Sequence, residues 1–416
     1  MKLGDFSLLD ESESTDGLRA QIEAFNRTAT DYPRQSTVHA QFAARAAATP
    51  DAIAVIEGDG ARRHTYAEVA RQANRIAGFL VARGLAKEGF VGVMVDGAFD
   101  LVTSLLGILQ AGGAYLPLDP ELPAARTQFM LRDARARFLI GGRKHIRALN
   151  RLQWDCADLG VLLCPDSRDV HAESEGIGEF MREEVWDYVG KEIFDDISGG
   201  GWRSSFTGEW LSREVMDEYG DNARKKLAPR VTRASRVLEI GCASGLTMFR
   251  LAPLVAYYHG TDLSAEILRW SEGERKKRGL DNIRLEHRPA HEVGQVTEHG
   301  FDVVIINSVL QCFSGLNYLR DVLRQAIGLM ADDGIIFLGN VWDQDLKAQF
   351  ERELLEFERA HVGQGYRTKT DRSEDLFVAR AFLEDLRTEW PEIAEIECSK
   401  MLGQAESELS RFGYDV

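Results

Sequence analysis

The stretch VLEIGCASG, residues 237–245, decides the fold of the second half of this chain. An apolar strand leads into a turn in which small residues fill every tight position. Glycine permits unusual backbone dihedrals there and lets a ligand approach the backbone closely. The next helix is predicted to begin at Gly245, so its first N–H groups face the same crevice. The pattern predicts a strand–turn–helix unit with a ligand site at the carboxyl end of the strand.

The spacing of this turn argues against a dinucleotide cofactor. Dinucleotide-binding proteins place GxGxxG in the turn to hold a pyrophosphate. Here the pattern is ExGxxxG, and the carboxylate of Glu239 at the strand end would repel a pyrophosphate. The same acid suits the amino group of an amino-acid-like ligand, reached directly or through water. A tight turn that binds no ligand is the alternative interpretation.

Strand and helix patterns alternate on both sides of this turn. Strands are predicted at residues 236–240, 256–261, 283–287, 301–307 and 334–341, and helices at 246–253, 265–278, 316–330 and 343–360. A helical turn at 379–386 precedes two late strands at 393–400 and 410–416. This alternation predicts a doubly wound α/β sheet over residues 202–416.

Polar residues follow the carboxyl ends of these strands. Asp262 comes about 20 residues after the glycine turn, where an acid accepts both hydroxyls of a ribose. Its alternative role is to cap the next helix, which Ser264 can do instead. His291 follows the third strand, where it flanks an adenine ring or is simply an exposed loop residue. Asn307 and Ser308 end the fourth strand at the same edge of the sheet.

The N-terminal part of the chain also alternates. Helices are predicted at residues 38–48, 66–83 and 99–110, and strands at 52–57, 90–95 and 114–118. Residues 143–201 read as a connector with a weak strand at 159–164, a polar stretch at 165–176 and a helical segment at 177–193. We therefore predict an α/β unit over residues 1–142, a connector over 143–201 and a second unit over 202–416.

Composition excludes several classes of function. The net charge of −16 works against binding to a phosphate backbone, so nucleic acid is not an expected partner. The five scattered cysteines contain no CxxC pair, which predicts no disulfide framework, no metal site and a reducing, cytoplasmic protein. The N-terminus lacks the pattern of a signal peptide, and no run of 18 apolar residues predicts a membrane span.

The ordered set of residues 239–245, Asp262 and Asn307 resembles the successive motifs of class I methyltransferases that depend on S-adenosylmethionine (SAM). The resemblance implies a Rossmann-like, seven-stranded sheet whose last strand is antiparallel, with SAM as cofactor and S-adenosylhomocysteine as product. Ala243 replaces the glycine that is more usual in the family. The residues implied to bind the cofactor are Glu239, Gly241, Cys242, Ala243, Gly245, Asp262, Leu263, Ala290, His291, Asn307 and Ser308.

Three further stretches narrow the resemblance. GWRSSFTGE (201–209), NSVLQCF (307–313) and ELSRFGYDV (408–416) resemble methyltransferase domains of nonribosomal peptide and polyketide synthetases. Phe206 replaces a tyrosine of that family, and Gly413 replaces an arginine. The resemblance implies two kinds of partner: an acyl or peptidyl carrier protein with a substrate on its phosphopantetheine arm, and other synthetase domains.

Two stretches of the N-terminal part resemble amino-acid adenylation domains. HTYAEV (64–69) and LQAGGAYLPLD (109–119) are similar to the first two core motifs of that family. The phosphate-gripping motif, the later ATP-binding acid, the hinge and the lysine-bearing lobe do not follow. Residues 1–142 are therefore expected to be a truncated part of an adenylation domain. By itself it is inactive, and it is interrupted where some synthetases insert a methyltransferase.

The methylated atom is predicted from Gln311. Carbon-methylating relatives carry histidine at this position, and glutamine cannot take a proton, which disfavours carbon as the acceptor. In the family, an insertion at this early site implies transfer to oxygen or sulfur of a tethered acyl or aminoacyl group. Three alternatives stay open: methylation of a tethered amino nitrogen, a free-standing small-molecule enzyme, and a docking module with a degenerate methyltransferase. The intact Glu239, Gly241, Asp262 and Asn307 argue against degeneracy.

A hydroxyl acceptor needs a base. The base candidates are His287, His291, Glu209 and His361, each of which has an alternative role as a surface residue. Aromatic residues near the predicted entrance line a substrate pocket or shield the sulfonium by cation–π contact, with ordinary packing as the alternative. Together with Gln311, the predicted pocket residues are Trp202, Phe206, Trp342 and Tyr366.

Overall fold

Two parallel sheets with covering helices organise the chain. The computed structural model describes residues 15–58, 60, 62–156, 158–167 and 178–416. Most of the polar stretch predicted at 165–176, and the first residue of the helix predicted at 177–193, lie outside these residues. None of the described helices is long and apolar enough to cross a membrane.

The N-terminal unit is built on a four-stranded sheet. Its helices are α1 (Thr15–Phe25), α2 (Val38–Ala48), α3 (Tyr66–Ala82), α4 (Ala98–Gln110), α5 (Ala124–Asp133) and α6 (Ile146–Asp155). Its strands are β1 (Ile53–Ile56), β2 (Arg63–Thr65), β3 (Phe90–Met94), β4 (Ala114–Pro117), β5 (Phe138–Gly141) and β6 (Val161–Leu163). The order β4-β3-β5-β6 is parallel throughout, and β1 and β2 form a separate antiparallel pair. The weak strand predicted in the connector is β6, and it pairs with β5 in this sheet.

Local chemistry explains why the central helix pair of this unit forms. A capping box begins α3, since Thr65 Oγ1 accepts from the N–H of Glu68 and a Glu68 carboxylate oxygen accepts from the N–H of Thr65. The apolar face of α3 packs closely on α4 at Gly107. A Cβ at that glycine would lie 2.8 Å from Cβ of Ile76, so a larger residue would push the helices apart.

The C-terminal unit contains the predicted doubly wound sheet. Its helices are α7 (Glu183–Lys191), α8 (Arg213–Leu227), α9 (Met248–Leu251), α10 (Ala265–Arg278), α11 (Leu316–Ile327), α12 (Lys347–Ala360), α13 (Arg380–Glu389) and α14 (Glu408–Phe412). Its strands are β7 (Arg236–Ile240), β8 (Tyr257–Asp262), β9 (Ile283–His287), β10 (Phe301–Asn307), β11 (Met330–Gly339), β12 (Val341–Trp342) and β13 (Gly413–Tyr414). The order β11-β10-β7-β8-β9 is parallel throughout.

Both faces of this sheet are buried. Leu238 and Val304 join a cluster with residues of α11 and α13, whereas Val237 and Val303 join a cluster with residues of α8 and α9. Alternate residues of one strand therefore serve opposite cores, which explains why the strands read as continuous apolar runs. The helix predicted at 246–253 is shorter in the structure, because the chain passes into a 3-10 turn that contains Pro253.

The two late strands differ from the prediction. Residues 410–412 belong to α14, because Ser407 and Ser410 form a reciprocal cap that begins a helix there. The remaining end of the chain runs antiparallel beside β11, where Leu338 and Val416 exchange backbone hydrogen bonds. Only Ser399 of the strand predicted at 393–400 pairs, with Asp415. The sheet therefore has five strands where the resemblance implied seven, and the end of the chain adds only short antiparallel pairings to it. The unit boundaries predicted at residues 142 and 201 stay predictions.

Helix α6 joins the two units through a polar contact centred on Asp155. One oxygen of this carboxylate accepts from Gln344 Nε2 at 2.9 Å and lies 3.2 Å from Lys347 Nζ. The other oxygen accepts from Gln128 Nε2 at 2.9 Å. At the other end of α6, Arg147 pairs with Glu374 of the C-terminal unit at 2.7 Å. The two units are therefore tied by charged hydrogen bonds at both ends of one helix.

We predict that Asp155→Ala destabilises this junction. The change removes three hydrogen bonds and leaves the largely buried Lys347 ammonium without its carboxylate, at a cost of about 2 kcal/mol. Denaturant unfolding should show the loss directly. Asp158→Ala is the matched control, since this neighbouring side chain is exposed and its removal should change stability by less than about 0.5 kcal/mol. Equal effects of the two changes would contradict the role given to Asp155.

Candidate active site

The glycine turn after β7 forms the floor of a crevice. Gly241 and Gly245 have φ values of 76° and 83°. A Cβ at Gly241 would lie 2.5 Å from Cγ2 of Val309, so the turn has no room for a side chain there. Ala243 also has a positive φ, 41°, which costs a non-glycine residue about 1 kcal/mol. The chain keeps the turn in the shape that glycine favours even where alanine replaces it.

Asp262 stands at the end of β8 and holds the turn in place. Its Oδ2 accepts from the N–H of Ala243 at 2.9 Å, and its Oδ1 accepts from the N–H of Ser264 at 2.9 Å. The helix cap of α10 is Ser264, which accepts from the N–H of Ile267. Asp262 is therefore not the cap of α10, and its carboxylate borders the cavity with lone pairs to spare. Burial raises the pKa of Asp262, and the two backbone N–H groups oppose that shift.

Glu239 is buried at the end of β7 and lines the same cavity. The hydroxyl of Tyr258 donates to its Oε2 at 2.8 Å. Burial raises the pKa of Glu239 to about 8. In the absence of a ligand, this carboxyl is therefore mostly protonated at neutral pH, and a cationic group beside it would ionise it.

Asn307 ends β10 on the opposite side of the turn. Its Nδ2 donates to Thr247 Oγ1 at 2.9 Å, and its main-chain oxygen accepts from the hydroxyl of Tyr219 at 3.2 Å. Its Oδ1 is buried and has no hydrogen-bond partner among the described residues. Ser308 follows with φ at 56°, and its Oγ accepts from Asn340 Nδ2 at 2.8 Å. The Oδ1 atom lies against Gly339 of β11, where it would collide with any Cβ.

A cavity of about 570 Å³ joins these strand ends. The predicted site residues that line it are Glu239, Gly241, Cys242, Ala243, Asp262, Leu263, Ala290, Asn307, Ser308, Trp202, Gln311 and Trp342. Gly245 lies just behind the lining, where its φ shapes the turn. The structure thus brings together residues that are up to 140 positions apart in the chain, and their predicted roles in binding stay predictions.

The predicted base candidates do not line this cavity. His287 Nε2 lies 2.8 Å from the main-chain oxygen of Leu263 and 3.1 Å from a Glu183 carboxylate oxygen. His291 Nδ1 lies 3.0 Å from the hydroxyl of Tyr318, at the protein surface. Neither ring lines the cavity, which differs from the sequence prediction: the His287 ring lies behind Leu263 of the lining, and the His291 ring is held at the surface by Tyr318.

The other two candidates lie elsewhere on the surface. Glu209 is exposed on a turn, and His361 stacks on Phe357 at the end of α12, with ring centroids 4.0 Å apart. Phe206 packs against the same Phe357 ring, and so does Tyr366. For Phe206 and Tyr366, ordinary packing is therefore the correct interpretation, not a place in the cavity wall.

A second polar wall, which the sequence indicated only in part, lines the same cavity. The N–H and hydroxyl of Ser205 both donate to the Glu408 carboxylate, and Arg372 donates to Ser205 Oγ at 2.7 Å. Arg372 is only 3% exposed and lies over the ring of Phe350 at 4.5 Å. Burial raises the pKa of Glu408, against the hydrogen bonds from Ser205.

Lys369 and Asp375 complete this wall, with an ion pair at 2.9 Å. Ser205 and Glu408 lie inside the stretches quoted for the synthetase resemblance, so a signal for them existed. The sequence carried no signal for the other three residues of this wall, because they come close to Ser205 and Glu408 only in the folded chain. These residues are Arg372, Lys369 and Asp375.

Two known families match separate parts of this chain. Residues 42–189 match the family described as AMP-binding enzyme, and residues 238–336 match the family described as methyltransferase domain. A match to the AMP-binding family is thus followed along the chain by a match to a methyltransferase domain. The methyltransferase match spans β7 to β11, and with them the glycine turn, Asp262 and Asn307.

Several curated proteins with sequences similar to this chain are peptide synthetases or synthases. This chain is 33% identical, over 241 residues and 56% of its length, to CymA of Salinispora arenicola, a probable non-canonical nonribosomal peptide synthetase. Bacitracin synthase 1 of Bacillus licheniformis is 40% identical over 126 residues, 30% of this chain. This chain spans only 3% and 2% of the length of these two relatives.

Among solved structures, the N-methyltransferase NodS of Bradyrhizobium japonicum aligns with 49% of this chain and 96% of its own, at 17% identity. Its TM-score of 0.34 is too low to support a conclusion.

We predict that SAM binding at pH 7 releases close to one proton. Glu239, with a pKa of about 8, is mostly protonated before binding and becomes ionised beside the ligand's ammonium group. Isothermal titration calorimetry in buffers of different ionisation enthalpy measures this number. Glu239→Gln should bind without proton release, and an equal release by both proteins would contradict the assignment.

The same pKa predicts how stability depends on pH. The unfolded carboxyl titrates near 4.5, and the folded one near 8. The contribution of this group is therefore complete below pH 4.5 and is lost as the pH rises through 8. Relative to Glu239→Gln, the unliganded wild type should lose stability between pH 5 and 8. Parallel pH profiles of the two unfolding free energies would contradict this expectation.

Proposed function

We propose that this chain transfers the methyl group of SAM to a substrate carried on a phosphopantetheine arm within a peptide or polyketide assembly line. The observation that carries the proposal is a single cavity lined both by predicted cofactor residues and by the polar residues Ser205, Glu408, Arg372, Lys369 and Asp375. The AMP-binding fragment that precedes the methyltransferase domain supports the assembly-line setting.

The residues present fit SAM. Glu239 faces the cavity with a carboxyl that an ammonium group would ionise, and each Asp262 oxygen keeps a lone pair for a ribose hydroxyl. A Cβ at Gly241 would collide with Val309, and one at Gly245 with Phe249, so glycine is required for the turn that borders the cavity. When bound, SAM supplies an electrophilic methyl group on its sulfonium.

Positioning is the main contribution of the chain to such a transfer. Trp202 and Tyr219 pack at the cavity, with ring centroids 4.6 Å apart. Burial raises the pKa of Tyr219, so its hydroxyl stays neutral and keeps its hydrogen bond to the Asn307 main chain. These rings and Trp342 exclude water from the space between the two walls, and their π faces suit a sulfonium.

Oxygen or sulfur of the tethered group is the proposed acceptor. Gln311 Nε2 donates to the main-chain oxygen of Ser308 at 2.7 Å, and the amide has no basic lone pair with which to form an enolate. As the bond from the acceptor to the methyl carbon forms, the bond from that carbon to the sulfonium sulfur would break, and the acceptor's proton would pass to a nearby carboxylate or to water. The described lining residues include no histidine. The carboxylates of the second polar wall, Asp375 and Glu408, are therefore the groups proposed to take the acceptor's proton. A thiol acceptor, whose ordinary pKa is near 8.5, depends least on these carboxylates for the loss of its proton.

One observation favours a second acceptor, a tethered amino nitrogen. Oε1 of Gln311 is buried at the cavity and has no hydrogen-bond partner among the described residues. An amino N–H of an aminoacyl group would satisfy this oxygen and hold the nitrogen in the cavity. The position of the methyl group in the product distinguishes the two acceptors.

Loss of Asp262 tests the cofactor site. We expect Asp262→Ala to weaken SAM binding about 100-fold, because two charge-assisted hydrogen bonds to the ribose are lost. Calorimetry measures the affinity, and Asp281→Ala, whose side chain is fully exposed, is the matched control. Asp262→Asn is the control for a folding defect, since its remaining side-chain oxygen still accepts a hydrogen bond from the backbone. Unchanged SAM binding in Asp262→Ala would refute the site.

Mass spectrometry tests the tethered substrate. Matched thiol, hydroxyl and amino acyl groups are offered either on a phosphopantetheine-loaded carrier protein or as free acids. We expect a gain of one methyl on the carrier-linked group and not on the free acid. Methylation of free molecules alone would instead establish a free-standing enzyme. SAM binding without any transfer would favour a docking role for the chain.

A further inference from the structure

A short backbone pairing builds the rim of the cavity. The N–H of Arg367 donates to the main-chain oxygen of Thr207 at 3.0 Å, and the N–H of Lys369 donates to that of Ser205 at 2.8 Å. The hydroxyl of Thr368 donates to the main-chain oxygen of Phe206 at 2.7 Å. This pairing brings residues 203–208, which begin the methyltransferase unit, beside residues 367–369, which follow α12.

Gly208 is the point of closest approach in this rim. Its φ is 74°, and a Cβ there would lie 2.8 Å from Cβ of Arg367 and 2.9 Å from its main-chain oxygen. Only glycine permits this conformation and this contact together. The rim therefore holds Arg367 directly against the turn that follows Arg203.

Arg203 is fixed on the other side of Gly208. Its Nη1 donates to the main-chain oxygen of Gly208 at 3.0 Å, and its guanidinium carbon lies 3.8 Å from the centroid of the Trp210 ring. Stacking and one hydrogen bond restrain the group while its other N–H groups stay available. Arg203 and Arg367 both line the cavity and are exposed to solvent.

The rim carries two positively charged side chains, although the chain as a whole is acidic. The chain carries a net charge of −16, yet neither rim guanidinium forms an ion pair within the described residues. The nearby Asp375 is already paired with Lys369, and Glu408 accepts from Ser205. Two unpaired guanidinium groups on one rim favour a shared anion, and their fork geometry matches phosphate oxygens.

We propose that Arg203 and Arg367 form a phosphate subsite that binds the phosphate of a phosphopantetheine arm at the entrance of the cavity. The inference rests on the proposed function and names the part of the substrate that this rim recognises. The phosphate fixes the arm at the rim, and the acyl group on its thiol end extends into the cavity. Free phosphopantetheine and the carrier-linked arm share this chemistry, so the experiment includes both.

Binding of two small probes to the full chain, saturated with S-adenosylhomocysteine, tests the subsite. The probes are 4′-phosphopantetheine and pantetheine, which differ only in the phosphate. We expect phosphopantetheine to bind at least about tenfold more tightly, with a difference that shrinks as salt is raised. Equal affinities of the two probes would overturn the proposal.

Variants locate the effect. Arg367→Ala should reduce the affinity for phosphopantetheine about tenfold and leave pantetheine unchanged, with Arg367→Lys retaining part of the difference. The matched control is Arg359→Ala, an exposed arginine of α12 that does not line the cavity. An equal loss for both probes in Arg367→Ala would show a structural effect and overturn the subsite.

Enzyme kinetics distinguish a failure of this inference from a failure of the proposed function. Arg367→Ala should raise KM about tenfold for an acyl group on a loaded carrier protein, and leave KM for the same acyl group on phosphate-free pantetheine unchanged. A KM increase of the same size with both substrates would overturn the subsite while methyl transfer stands. If wild type methylates neither substrate, the proposed function fails, and the probe-binding result still decides the subsite.

Discussion

The two hydrogen bonds that Asp262 accepts from the backbone hold this site together. One comes from Ala243 in the turn after β7, and the other comes from Ser264 at the start of α10, so a single carboxylate joins two strand ends of the sheet. Parallel pairing of β7, β8 and β10 places their carboxyl ends at one edge, where ligands of doubly wound sheets bind. The left-handed conformation of Ala243 is tolerated because this contact and its neighbours determine the shape of the turn.

The cavity is built from polar groups that are not fully satisfied by the protein. Glu239 is buried with one hydrogen bond from Tyr258, and Oδ1 of Asn307 and Oε1 of Gln311 lack partners among the described residues. Burial without compensation costs free energy, so these groups reduce the stability of the unliganded chain. Of these groups, Glu239 lines the cavity and would match the ammonium group of the proposed cofactor. The site is preorganised at the expense of stability.

The AMP-binding fragment contacts the unit that contains this site. Helix α6 contacts the methyltransferase unit through Asp155 and Arg147. The partner of Arg147 is Glu374, next to Asp375 in the second wall of the cavity. Leu376 in turn donates its N–H to the main-chain oxygen of Gln311. The wall on the acceptor side is thus supported by the fragment through a short, continuous set of contacts.

The sequence by itself determined the α/β alternation, the strand limits at residues 236–240, 283–287 and 301–307, and the cavity-lining positions of Glu239, Asp262 and Asn307. These features follow local rules, because the period of apolar residues and the position of a turn are written within 10 to 20 neighbouring residues. Only the tertiary structure decided the rest. It assembled Ser205, Arg372 and Glu408 across some 200 positions, kept His287 and His291 out of the cavity lining, and shortened the last strands. Which side chains face a common space depends on packing between distant elements, and no local pattern records that packing.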